Sequence, residues 1–386
     1  MKHETPSDGS AAKWILLALL LILLASKASF GQAIHSPGSE GETSDRSSLP
    51  TALQDGNKDN RDEGRDSDEA PKDADTPVDE KMAPQVTVAE VYKRAVDATV
   101  EVFVGDHLGG TGWLIGNEGL VITAAHVIPQ HDAAVEVRSS AVGRADVTLV
   151  AVDLGHDIAL LRLPQRDGGY PGLALAKAMP EVGEHTYLVG SPMYRHRIML
   201  RGTIASPETG FECYAGRFVE VHYIAATAQP GTSGGAWMNA EGNVVGVQSG
   251  IMSQSSVPTG ICFTSPLQAI RQLVESKKST KTPTLGANVE ELWQHGRETL
   301  NRYPPNTETL LIRSLVNDGP AARAGVSVWD GVTHADGKEV RVIADLLHHI
   351  RAKRPGDTVR LTLLAPDGAG TRHVDVRLAC LEVNWP

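Results

Sequence analysis

The chain has 386 residues, of which 36 are basic, 47 acidic and 41% hydrophobic, with a formal net charge of −11. That length and apolar content can support two packed domains, and the acidic balance excludes the basic stripe a nucleic-acid binder needs. Three cysteines, Cys213, Cys262 and Cys380, are too sparse for a disulfide framework, so buried thiols are expected, and no metal or cofactor spacing is present.

Residues 14–25 form an unbroken apolar run after Lys2 and Lys13, and Gly31-Gln32-Ala33 fits a small-x-small cleavage site. Twelve helical residues span about 18 Å, short of the roughly 30 Å hydrocarbon core. Residues 1–33 therefore read as an export signal, with a retained membrane anchor as the alternative. Residues 34–84 carry fourteen acidic against six basic side chains and almost no large apolar ones. Such a segment cannot bury enough surface to fold, and it accounts for −8 of the net charge.

From 85 to 276 the pattern is short β-rich runs divided by Gly, Asn and Asp. Residues 99–104 and 147–152 alternate in polarity, and Asn117-Glu118-Gly119 makes a hairpin turn. Many short strands predict a sandwich or a pair of barrels. Helices are expected only at the ends. One covers 88–96; the other follows Ser265-Pro266, with serine at the N-cap and proline at the first helical position.

Chemistry concentrates at Gln229-Pro230-Gly231-Thr232-Ser233-Gly234-Gly235. Glycines around a serine permit a tight turn that exposes its hydroxyl and turns backbone N–H groups outward. The Gly-x-Ser-x-Gly spacing also fits a nucleophile elbow, but that motif demands a helix after the serine. Here Ala236-Trp237-Met238, a turn at 239–242 and Asn243-Val244-Val245 predict a hairpin instead. Upstream, His126 ends the apolar run 120–125, and Asp157 opens the apolar run 158–163. A buried aspartate needs a partner. Taken alone, His126 reads more readily as a satisfied core residue than as a base, and Asp157 equally well as a turn residue at a strand start.

The order His126, Asp157, Ser233, with separations of 31 and 76 residues, is that of chymotrypsin-like enzymes. Thr123-Ala124-Ala125-His126, Asp157-Ile158-Ala159-Leu160-Leu161, Gly231-Thr232-Ser233-Gly234-Gly235 and Gly110-Thr111-Gly112-Trp113-Leu114-Ile115 resemble the HtrA/Deg branch of that family. The resemblance implies a mainly β fold, a chymotrypsin-like double β-barrel followed by a smaller α+β PDZ domain. It implies Ser233 as nucleophile, His126 as base and Asp157 as its orienting carboxylate. The oxyanion hole would lie at Gly231, Thr232 and Ser233. Thr232 departs from the family's usual asparagine. Thr227, Ala228, Gln248, Ser249, Gly250 and Cys262 would bind substrate in an uncharged P1 pocket. Residues 245–251 would pair with the substrate backbone as an added strand.

After a linker at 277–283, residues 284–386 alternate as strands around one helical face, Ile343, Leu346, Leu347 and Ile350. His348 and His349 point to different faces of that helix and read as surface residues. Gly319-Pro320-Ala321-Ala322, Asp336-Gly337-Lys338 and Arg354-Pro355-Gly356-Asp357 resemble an HtrA-associated PDZ domain. Leu285, Gly286 and Ala287 would then hold a peptide carboxylate, with Thr284 standing where an aromatic is common. The expected protein is an exported, ATP-independent, cofactor-free serine endopeptidase. Its partners would be unfolded proteins and C-terminal peptides, in a trimer-based homo-oligomer. The alternative is a protease-fold chaperone with little turnover.

Overall fold

The computed structural model describes residues 86–128, 134–214, 217–254, 257–368 and 370–382. The apolar run at 14–25, the cleavage site and the acidic segment lie outside them. Among the described residues no helix is long and apolar enough to cross a membrane.

Helix α1 (Val88–Ala98) starts on a capping box, Thr87 with Glu90, and buries Val91, Ala95 and Ala98. It leads into a closed barrel of β1 (Thr99–Val104), β2 (His107–Ile115), β3 (Leu120–Ala124), β4 (Val135–Ser139), β5 (Gly143–Asp153) and β6 (Ile158–Arg162). The order around the barrel is β1-β2-β3-β6-β5-β4, with β4 returning to β1. Strand β3 is buried along its whole length. This is why its sequence is an apolar run broken only by Thr123, whose hydroxyl donates to Thr111 O, rather than an alternating one.

The second barrel comprises β7 (His185–Gly190), β8 (Ile198–Ile204), β9 (Gly210–Tyr214), β10 (Arg217–Ala225), β11 (Ala236–Met238), β12 (Val244–Gln254) and β13 (Val257–Pro266). The order is β13-β12-β11-β7-β8-β10-β9, and a β10–β13 pairing closes it. The short β11 pairs with β12 across the turn at 239–242, so a hairpin follows Ser233. Helix α2 (Leu267–Ser276) differs in its start from the sequence expectation. Ser265 and Pro266 finish β13, and proline occupies the N-cap with no side-chain cap bond.

The smaller α+β unit has a sheet ordered β15 (Ala287–Glu291), β16 (Leu310–Leu315), β17 (Gly331–Ala335), β19 (Thr358–Leu364) and β20 (Thr371–Arg377). A short β18 (Lys338–Glu339) pairs with β17, and β14 (Pro283–Thr284) pairs with β21 (Ala379–Cys380). Helix α3 (Ile343–Arg351) buries Leu346, Leu347 and Ile350 as its period predicts. The described residues form one compact unit. Phe211 on β9 belongs to the core of the smaller domain and meets the His348 ring edge-on at 5.0 Å. The Arg351 guanidinium donates to Phe218 O at 2.9 Å.

Cysteines depart in part from expectation. Cys262 is buried, whereas Cys213 is exposed and Cys380 half-buried. No cluster of metal-binding side chains occurs among the described residues. His349 is used instead on Asp336, at 2.9 Å.

Candidate active site

His126 sits in a 3-10 turn, Ala125–Val127, that follows β3 directly. Asp157 sits at the entry to β6, the neighbour of β3, in a left-handed conformation with φ +57°. Pairing of β3 with β6 thus brings together two residues 31 apart in sequence. Asp157 is fully buried, and its carboxylate is saturated with donors. Oδ2 accepts from His126 Nδ1 at 2.7 Å and from the Ser249 hydroxyl at 2.5 Å. Oδ1 accepts the His126 backbone N–H at 2.9 Å, and the Arg217 guanidinium lies 3.5 Å from it. The imidazole is held by its Nδ1 side and stays partly exposed, with 27% of its side-chain surface accessible.

Burial disfavours the charged imidazolium, but the Asp157 charge and its hydrogen bond outweigh that, holding His126 above the ordinary imidazole pKa. The Arg217 charge pulls the other way.

The Ser233 loop is fastened to the first barrel. Thr111 N–H on β2 donates to Ser233 O at 2.7 Å, and the Thr111 hydroxyl donates to Gly231 O at 2.7 Å. Gly110 separates Ser233 from the histidine turn. A Cβ there would meet Ser233 O at 2.6 Å and Val127 Cγ2 at 2.7 Å. Gly234 (φ +86°) lies equally close to Ala124, with an imagined Cβ 2.8 Å from its nitrogen. No larger residue could let these segments meet so closely.

Two amides beside Ser233 are aimed outward by their own peptide planes. Pro230 O accepts Met193 N–H at 2.8 Å, so the Gly231 N–H at the far side of that trans peptide points away. Thr232 O accepts Gly235 N–H at 2.9 Å, which turns the Ser233 N–H away from that bond. Among the described residues neither N–H has a hydrogen-bond partner. Thr232 differs from the sequence expectation for the donor set. Its N–H and its hydroxyl both donate to Gln229 O, at 3.1 and 2.8 Å.

The expected substrate residues divide. Thr227 is exposed, while Ala228 and Cys262 are buried in the core of the second barrel, where the Cys262 thiol donates to Ala226 O. Gln248 turns inward, accepting from Trp237 Nε1 at 2.8 Å and donating to Gly250 O at 2.8 Å. Ser249 belongs with Asp157. The expectation of an edge over 245–251 also narrows, because residues 244–247 pair with β11 and Gln248 bonds to both Gly234 and Gly235. Past Gln248, Gly250 and Ile251 pair with β13 on one side. Sequence reading passed over Thr111, Met193 and Arg217. A threonine inside the Gly110–Ile115 motif was the one signal available for the first of them.

In the smaller domain the Leu285–Ala287 loop faces a cavity of about 470 Å³, bounded by Leu346, Leu347 and Ile350 of α3. Strand β15 is at the sheet edge beside it. Gly286 adopts φ +65°, but its N–H donates to the Thr284 hydroxyl at 3.1 Å.

The six-stranded first barrel and the seven-stranded second, with these groups assembled between them, have the architecture of a trypsin-like peptidase domain. A family model described as a trypsin-like peptidase domain matches residues 110–247, and one described as a PDZ domain matches 283–377. Taken in this order, the two matches make the chain similar to the HtrA/Deg type of trypsin-like serine protease with a C-terminal PDZ domain. It is 27% identical over 271 residues to a probable periplasmic serine endoprotease DegP-like of Pseudomonas fulva, covering 69% of this chain and 55% of that protein. Against serine protease HTRA1 of Xenopus tropicalis it is 28% identical over 299 residues, covering 74% and 62%. The chain spans about half the length of the DegP-like relatives it matches. A solved structure titled HtrA-type protease AlgW with decapeptide shares the fold, with a TM-score of 0.57 at 20% identity over 77% of this chain and 99% of that one.

Proposed function

We propose that the chain is an exported, ATP-independent endopeptidase that cleaves unfolded proteins through an acyl-enzyme formed on Ser233. The observation that carries this reading is the double hold of Asp157 on His126, beside a serine loop with two outward amides. His126 takes the Ser233 hydroxyl proton as the serine oxygen attacks the scissile carbonyl, and later gives it to the departing amine. Asp157 fixes the imidazole tautomer and stabilises the imidazolium. The Gly231 and Ser233 N–H groups receive the oxyanion, each such donor contributing about 3–4 kcal/mol. Substrate backbone pairs along Gly250 and Ile251 as an added strand, with an uncharged P1 side chain.

The PDZ cavity takes a C-terminal peptide as a strand on β15. Export agrees with the apolar leader and with the periplasmic naming of the DegP-like relatives. A trimer-based homo-oligomer belongs to the same reading.

The test is digestion of unfolded casein by the protein and its Ser233→Ala form. Fragments from the first and none from the second are expected. Equal yields overturn the enzyme reading, and client protection without cleavage by either supports the chaperone alternative.

A further inference from the structure

The proposed triad carries one cation more than its three residues need. Arg217 begins β10, paired with Tyr214 at the turn end of the hairpin with β9, and only 8% of it is accessible. Its guanidinium lies 3.5 Å from Asp157 Oδ1, while the imidazole is held by Oδ2 of the same carboxylate. Asp157 cannot swing from one to the other. It is fully buried, its backbone is fixed in the left-handed region, and Ser249 and the His126 N–H hold its oxygens in place.

We propose that Arg217 is a positioning residue of the active site, which shares the charge of Asp157 with His126 and keeps the imidazole available as a base in mildly acidic surroundings. The inference rests on the reading of His126 as the base. A guanidinium stays charged at every relevant pH, so the carboxylate always faces one permanent cation and one titratable one. Attraction available to the imidazolium is reduced by the repulsion between the two cations.

Among the described residues, the other groups named around this site are neutral or paired elsewhere. Ser249 from β12 and Thr111 and Thr123 from β2 and β3 are neutral. Asp153 and His156, just before Asp157, are committed to each other at 2.9 Å, and His156 also to Glu220 at 3.5 Å. The direction agrees: burial and then Asp157 dominate His126, and the Arg217 charge lowers its pKa.

The experiment titrates the His126 ring by NMR in the full chain carrying Ser233→Ala, with Arg217 intact or changed to Met, Gln or Lys. The kcat/KM–pH profile is measured in the same Arg217 variants with Ser233 present. Arg217→Met and Arg217→Gln are expected to move the His126 midpoint, and the acid limb of kcat/KM, to higher pH, with Arg217→Lys in between. A midpoint that stays put in the neutral variants, or a loss of kcat equal at all pH values, overturns the proposal. Should neither neutral variant fold, Arg217→Lys decides, because its shorter arm withdraws the charge from Oδ1. A midpoint equal to that of Arg217 then counts against the inference. The ring titration does not depend on Ser233 chemistry, so persistent cleavage by Ser233→Ala would sink the nucleophile assignment while leaving this result readable.

Discussion

The Thr111 hydroxyl donates to the Gly231 carbonyl at 2.7 Å, tying the serine loop of the second barrel to a strand of the first. The same hydroxyl accepts Ser191 N–H at 3.3 Å, and the Thr111 N–H holds Ser233 O. Thr111→Val keeps the shape and the backbone bond but removes the hydroxyl. A part-buried carbonyl left without its donor costs about 1–3 kcal/mol, and the Gly231–Thr232 peptide plane is then held only by the Thr232 N–H bond to Gln229 O. We expect kcat to fall by about tenfold or more with KM little changed, and the folded state to lose no more than about 1–3 kcal/mol in unfolding curves. Unaltered kcat would show that the loop holds its amides without Thr111.

Asp157→Asn keeps the bonds that Oδ1 accepts but offers an amide where Oδ2 faces His126 Nδ1. The imidazole must then present the wrong tautomer, and the imidazolium loses its counter-charge. We expect kcat to drop about 10³–10⁴-fold, as template serine proteases do. Because the Asp157 charge raises the His126 pKa, the residual activity should show its acid limb at lower pH. Steady-state kinetics across pH check both points.

At the boundary between the domains, Asp153, His156, Glu220 and Arg351 form an ionic cluster. Burial opposes a charge on His156, but hydrogen bonds to Asp153 and Glu220 override it and push its pKa up to about 9 from 6.5. The stabilisation is therefore complete below about pH 6.5 and disappears as pH rises through about 9. Glu220, held down to about 2 chiefly by its bond to His156, contributes above its unfolded value of 4.5 and loses that contribution only in strong acid. Thermal unfolding should show the melting temperature declining from neutral to alkaline pH. In His156→Gln that decline should flatten, from a lower starting point. A parallel decline in both proteins would remove His156 from the account.

Thr284 occupies an amide that a peptide carboxylate would use, since its hydroxyl accepts the Gly286 N–H. Thr284→Val releases that donor without changing the volume of the side chain. Binding of C-terminal peptides to the full chain should tighten by roughly fivefold, the worth of about one hydrogen bond. Calorimetry with a peptide and its C-terminally amidated form checks this, because only the free carboxylate should respond. Equal affinity of both forms places the carboxylate elsewhere.

Local chemistry made several elements legible before any coordinates. The turn at 239–242 between two apolar runs announced the β11–β12 hairpin and excluded a helix after Ser233. The spacing of Leu346, Leu347 and Ile350 announced α3. Glycines around Ser233 announced a tight loop, and the chain order of His126, Asp157 and Ser233 narrowed the class. Each of these depends on neighbours in sequence or on spacing that is itself sequence.

What tertiary structure decided is the partner of each polar group. Ser249 read as pocket wall, yet strand β12 turns its hydroxyl onto Asp157. Cys262 read as pocket lining, yet β13 turns it into the barrel core. Thr232 sits between the two outward amides in sequence, but a tight turn sends its own N–H back to Gln229. Arg217, 60 residues beyond Asp157, carries no local mark of its place. The reason is physical. A strand's period tells which residues share a face, but what that face meets is set by the closure of the barrels, which brings together segments the sequence keeps far apart.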